Sequence, residues 1–388
     1  MTRETEADQL ARSAAELQVD DEAEFMDMED EESEEDQGGA GQGGYQFTGP
    51  EYQAQLKVQR QQLWIWIKRI GNNMFREGIN LTKISLPVCL FEPRSFLERM
   101  TTNWEYLDLL MAAGASTDPV ERMKYVVAFA VSGLCRQVSF HKPFNPILGE
   151  TYQSRFPNGV ETFLEQISHH PPISSWQMLE PTGKFMFFGN GNWTAGIKGN
   201  SVKGRQTGIN VVRFADGSSI SYELPGITVK GVLWGQRCIK YGGEMVFKDE
   251  TNNLTCHVEV DPQPKQSYIS SWFRSKQSLG YKPDLVYGQL KKGNTVLDTM
   301  TGNWLFYVEW EKGVKNARSK HMWDIKTSVL TPAIPVAQPL PSDAQTRKDV
   351  VFLKAGDQTL SQEWKHTLEE QQRKERNLRR TFGGVVEH

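Results

Sequence analysis

From about residue 150 to residue 310 the chain is written in short β-branched and aromatic runs separated by turn dipeptides, and this texture constrains the fold more than any other feature. Segments such as KFMFFGNGN, INVVRFADGSSISYEL, ITVKGVLW and LVYGQLKKGNTVLDTM have the length and residue types of strands. Asp216–Gly217 and the KKGN at 291 to 294 fall where hairpin turns need left-handed backbone. So many strands with few helices between them predict an antiparallel sheet, and closing such a sheet into a barrel removes its exposed edges. A large barrel can enclose a ligand cavity. The fold class read from this pattern is mainly β with flanking helices, the barrel occupying about 140–330.

Helical signals lie on both sides. EYQAQLKVQRQQLWIWIKRIG ends at Gly71, a plausible C-cap, and places Leu63, Trp64, Ile67 and Ile70 on one apolar face. Ser95 with Glu98 reads as a capping box for a helix carrying Phe96, Leu97, Met100, Trp104 and Leu107. Asp118 and Pro119 open another, with Met123, Val126, Val127, Ala130, Val131 and Leu134 on its buried stripe. After about residue 340 the helical period returns in SQEWKHTLEEQQRKERNLRR, which is too charged to be buried all round.

Charge is divided unevenly. Residues 1–50 carry two basic residues against sixteen acidic ones, and the other 338 residues carry a net +10. The leader has too few large apolar side chains to offset chain entropy, so it reads as a disordered acidic arm. The basic remainder points to an anionic ligand or surface, either nucleic acid or phospholipid. The charged start excludes a signal peptide, and no apolar run of about 18 residues spans a bilayer. Cys89, Cys135, Cys238 and Cys256 are widely spaced, as in a cytoplasmic protein with reduced thiols.

The stretch LEQISHHPPISSW holds the most specific chemistry. Neighbouring strand residues face opposite ways, so His169 and His170 share one metal only across a local bend, and no nearby Cys, His or Asp cluster supplies further ligands. No GxSxG elbow suggests nucleophilic catalysis. Polar residues at a strand end remain one reading and anion recognition another, since two imidazoles can donate to separate phosphate oxygens. KPFNPILGE offers Lys142, Asn145 and Glu150 on a loop that two prolines keep out of helix and central strand. Lys365, Glu369 and Arg373, four residues apart, share a helical stripe that also suits a solvated helix held by ion pairs.

Together these residues resemble a known family. EQISHHPP and KPFNPILGE match the two hallmarks of the oxysterol-binding-protein-related lipid-transfer proteins, and the likeness continues through LWIWIKRIG, GINLTKISLP, FEPRSFLERM, TGNW and KHTLEEQQR over roughly residues 60–380. The resemblance implies a short form, with residues 51–388 as the lipid-binding domain: a lid at about 60–85, helices at about 95–138, the barrel, and a C-terminal helical part at about 340–380. It implies a lipid tunnel within a near-complete barrel. Lys142, Asn145, His169, His170, Lys365 and Arg373 would grip the phosphates of phosphatidylinositol 4-phosphate, with Glu369 orienting the cations. Glu150 reads as a loop brace, and Trp64, Ile67 and Ile70 as the lid's apolar face. The implied activity is exchange of that lipid for a second one between membranes, with no catalysis, cofactor or metal; a non-transferring sensor or scaffold is the alternative.

For the second lipid, LPVCLFEPRSFLER is closer to the LEPRS form of phosphatidylserine carriers than to the NEPLS form of sterol binders. Leu90 and Phe91 are the candidate selectivity positions, and Phe91 departs from both patterns. The expected cargo is phosphatidylserine, with sterol as the alternative. Exposed Lys374, Arg376, Arg379 and Arg380 would add attraction to anionic membranes. DDEAEFMDMED in the arm resembles the motif recognised by endoplasmic-reticulum receptors with a major-sperm-protein domain, Phe25 entering a pocket while Glu24 and Asp27 meet basic surface; a solubilising tail explains the same residues.

Overall fold

The computed structural model describes residues 43–70, 79–80, 85–262, 282–314 and 321–382. The expected arm is shorter than read. Residues 43–50 join the body because their aromatic side chains have something to bury: Tyr45–Gln46 pairs with Ile239 and Cys238, Phe47 is 3% exposed and packs edge-on to Tyr52 and Phe140, and the Gly44 N–H donates to the Asp284 carboxylate at 2.7 and 2.8 Å. Glu24, Phe25 and Asp27 lie outside the described residues.

Helix α1, Pro50–Ile70, starts with proline in its first turn, where the missing N–H has no partner to lose. It begins ten residues before the expected lid. Its apolar face is also turned. Trp66 joins it as the more deeply buried tryptophan, with Trp64 packed at the edge of the same core; Leu56, Leu63, Trp66 and Ile67 are buried, and the Trp66 indole donates to the Ser85 carbonyl at 3.1 Å. Trp64 is half-buried, and the side chain of Ile70 and the expected cap Gly71 lie outside the described part.

The helix expected after Ser95 is broken. Ser95 caps α2, Phe96–Thr101, accepting from the Leu97 N–H, but a 3-10 turn at Thr102–Trp104 follows before α3, Leu107–Ala115. The Thr101 and Thr102 hydroxyls donate back to the Glu98 and Arg99 carbonyls, each at 2.8 Å, which bends a chain that the apolar spacing alone would continue. Asp118 caps α4, Pro119–Arg136, as expected.

Among the described residues the sheet contains 17 strands and runs from Ile334–Pro335 through Thr151–Arg155, Glu161–His169 and Pro172–Leu179 to the long strand Phe185–Lys198. There it divides. Asn210–Phe214 with Ser219–Tyr222, and Ser201–Thr207 with Gly226–Lys230, form two branches that rejoin on Cys238–Asp249. The sheet continues through Leu254–Val260, Leu285–Lys292, Thr295–Asn303 and Tyr307–Trp310 to His321–Asp324. Both expected hairpins are present, with Gly217 and Gly293 at φ of 86° and 55°. The result is a large, near-complete antiparallel barrel with flanking helices. Helices α3 and α4 pack on its strands in one core that includes Val127, Phe129, Phe187, Phe247 and Trp323, while a second core of Leu63, Trp66, Ile67, Phe91, Phe144 and Ile197 lies under α1.

Candidate functional site

Two short strands create the site's floor. Phe91–Ser95 and Lys142–Phe144 pair in parallel, with Phe91 opposite Lys142 and Ser95 opposite Phe144. The loop that follows is fixed from below by Glu150, which is 1% exposed and accepts from the Ile147 N–H at 3.0 Å, from the Ser95 hydroxyl, and from Arg347 at 2.7 Å. Glu150 is thus the brace its sequence context suggested. Arg347 precedes α5, Lys348–Lys354, and binds Asp349 through two nitrogens at 3.0 and 2.6 Å; it also donates to the Asn145 carbonyl at 2.8 Å. Burial alone would lower its pKa, but Glu150 and Asp349 beside it raise it and hold the guanidinium charged.

The histidines end one strand and enter the turn to the next, so the alternation that would separate them no longer applies. Their ring centroids are 4.5 Å apart at 60°. The Pro146 backbone favours the charged form of His169, whose Nδ1 is buried with no protein partner among the described residues. Burial, then the neighbouring His170, pushes its pKa down to about 4. Among the described residues no group of three or more His, Cys, Asp or Glu is arranged to hold a metal.

The last helix, α6, Gln358–Phe382, completes the site. The stripe runs from buried to solvated, Lys365 being 6% exposed and Arg373 exposed; the Lys365 ammonium donates to Glu369 and to the Ser85 hydroxyl, each at 2.6 Å, and Ser85 donates to Glu369 at 3.0 Å. Lys142 donates to the Asn145 side-chain oxygen at 2.5 Å and to the Pro143 carbonyl at 3.0 Å. Its pKa is pushed down to about 7, first by desolvation and then by the charges of Lys365 and Arg347, with Glu369 acting against them.

Two cavities meet here. A mouth of about 250 Å³ is lined by Asn145, His169, His170, Arg347, Lys365, Glu369, Arg373, Arg376 and Arg379 on a base of Phe91 and Phe144. A tunnel of about 370 Å³ runs inward past Leu63, Trp66, Leu90, Phe96, Trp193, Ile197, Val202, Ile227, Val229 and Ile239, and Lys142 sits on its wall. Leu86, Asn145 and His169 line both, so the two cavities adjoin. Every expected headgroup residue lines one of the two cavities: Asn145 and His169 both, Lys142 the tunnel, and His170, Lys365, Glu369 and Arg373 the mouth. Leu90 and Phe91 separate, Leu90 to the tunnel and Phe91 to the mouth.

Sequence reasoning missed Ser85, Arg347 and Arg376. Ser85 and Arg347 carry no periodic signal. Arg376 had one: the stripe Lys365, Glu369, Arg373 continues in steps of three to Arg376 and Arg379, which line the mouth rather than standing free on the surface.

Fold and site define a class: a helix-covered antiparallel barrel whose apolar tunnel adjoins a cationic mouth. Comparison with known proteins is specific. The family model for the oxysterol-binding protein matches residues 72–384. Oxysterol-binding protein 9 of Dictyostelium discoideum is 37% identical over 355 residues, covering 86% of this chain and 78% of that protein. Human oxysterol-binding protein-related protein 8 is 30% identical over 368 residues, which are 90% of this chain but 38% of that longer protein. The chain belongs to the oxysterol-binding protein family. Its fold matches the Osh1 ORD domain in complex with cholesterol, with a TM-score of 0.68 at 23% identity over 88% of this chain and 91% of that one. It also matches the Saccharomyces cerevisiae Osh3 ORD in complex with PI(4)P, with a TM-score of 0.62 at 22% identity over 84% and 85%.

Proposed function

We propose that this protein binds phosphatidylinositol 4-phosphate with its headgroup in the mouth and its acyl chains in the tunnel, and exchanges it for a second lipid between membranes. The observation that carries this reading is that Lys142, Asn145, His169, His170, Lys365 and Arg373, from three distant segments, line a charged cavity and the apolar one beside it. A phosphomonoester carries nearly two charges and several acceptor oxygens, which suits fixed cationic donors. An arriving phosphate favours a protonated His169, whose imidazolium donates through Nδ1 to the ligand. The complex of a relative of the same fold with PI(4)P is consistent with this role.

Helix α1 acts as the lid, with Gln59, Leu63 and Trp66 on the tunnel wall. The second lipid is phosphatidylserine, with sterol as the other candidate; the basic Arg99 and Arg237 on the tunnel wall favour an anionic guest. Among the described residues no helix is long and apolar enough to cross a membrane, so access to lipid is peripheral, aided by the basic end of α6. Transfer of fluorescent phosphatidylinositol 4-phosphate between donor and acceptor vesicles tests the proposal. Binding without net movement would instead make the protein a sensor or scaffold.

A further inference from the structure

Phe91 stands where the sequence suggested a selector of the second lipid, yet its ring lies among charges. It is 6% exposed, lines the mouth, and its centroid is 4.7 Å from the Lys142 ammonium and 5.6 Å from that of Lys365. The parallel register sets Phe91 directly opposite Lys142. Behind it the Phe144 ring lies 4.8 Å away, tilted by 33°, and Arg347 stands 5.5 Å from Phe144, so two adjacent rings underlie three cations.

We propose that Phe91 is the platform that holds the two lysine ammoniums ready for a phosphate, a positioning residue of the headgroup site. This deepens the phosphoinositide reading above and rests on it. Two ammoniums gathered on one ring repel each other, and their protein partners are unequal. Lys365 has the Glu369 carboxylate, whereas the oxygens bonded by Lys142 are the neutral Pro143 carbonyl and the Asn145 amide. The electron-rich face of the Phe91 ring attracts both cations without neutralising either, so their charge stays available to an anion. A leucine of similar bulk fills the space and supplies no such face.

The test has two arms. In the lipid-free protein, NMR of labelled lysines should find the side-chain resonances of Lys142 and Lys365 shifted by the ring current of Phe91, and Phe91→Leu should remove that shift. In sedimentation with phosphatidylcholine vesicles containing phosphatidylinositol 4-phosphate, Phe91→Leu should weaken binding roughly tenfold. Replacing the ring by mono-, di- and pentafluorinated phenylalanines, which progressively drain its face at nearly constant shape, should weaken binding stepwise, and more than extraction of phosphatidylserine, whose phosphodiester carries a single charge. Equal affinities across the fluorinated series, unshifted lysines in the native protein, or an effect confined to phosphatidylserine each overturn the proposal. Shifted lysines in a native protein that ignores the phosphoinositide vesicles sink the lipid reading alone and leave the ring and lysine geometry standing.

Discussion

The mouth and the tunnel are neighbouring cavities built on opposite physical principles. The mouth is made of charges whose positions are over-determined: Arg347 is held by Glu150 and Asp349, Lys365 by Glu369 and Ser85, and Asn145 by Arg347. The tunnel is made mostly of aliphatic and aromatic walls contributed by many strands, with no Asp or Glu among its described lining residues. Directional bonds select a headgroup by the placement of its oxygens, whereas apolar walls select by volume and length. The first cavity therefore tolerates little substitution, and the second can change guest by a change of size.

The most damaging way to break this contrast is Arg347→Ala. It leaves Glu150 and Asp349 as buried, unpaired carboxylates and should cost about 3–5 kcal/mol of stability, read by denaturant unfolding, along with headgroup binding. Replacing His169 and His170 together by alanine should weaken extraction of phosphatidylinositol 4-phosphate by about 100-fold, through loss of two charge-assisted donors, with the circular dichroism spectrum unchanged. An unaltered extraction would show that the mouth is not the headgroup site.

Filling the tunnel sharpens the contrast from the other side. Val229→Trp should reduce uptake of the second lipid roughly tenfold, because a rigid close-packed wall cannot yield to the extra volume, while binding of soluble glycerophosphoinositol 4-phosphate stays the same. Equal loss of both would merge the two cavities into one functional unit. The smallest effect is that of pH. Lys142, pushed down to about 7 in the empty site, must be protonated to serve a phosphate, so binding takes up a proton when the pH is above that value. Affinity should fall with rising pH from about 7 upwards, by at most about tenfold per unit, and Lys142→Arg should flatten that limb in a binding titration.

The barrel was legible in the sequence because strand period and turn chemistry are local. Asp216–Gly217 and the KKGN turn sit where the hairpins close, and Asp118 with Pro119 opens α4. Arg376 was readable by extending the stripe of α6 in steps of three as well as four. The break between α2 and α3 was not, because apolar spacing continues across it while threonine hydroxyls decide the bend. Nor was the deeper burial of Trp66 than of Trp64, since both fit a helical face and the packing partners come from elsewhere in the chain.

By itself the sequence determined which chemical groups this protein owns and which of them travel together on one strand, loop or helix: the histidine pair, the proline-framed lysine, the charged stripe. Tertiary structure alone decided that the histidine pair and the charged stripe share a cavity with Ser85 and Arg347 while Lys142 lies on the wall of the cavity beside it, that Phe91 turns to the lysines while Leu90 turns to the tunnel, and that His169 Nδ1 is left without a partner among the described residues. The physical reason is distance along the chain. Local propensity acts over a turn or a strand, whereas electrostatic and packing partners are set by contacts between residues some two hundred apart, which exist once the barrel has closed its strands around them.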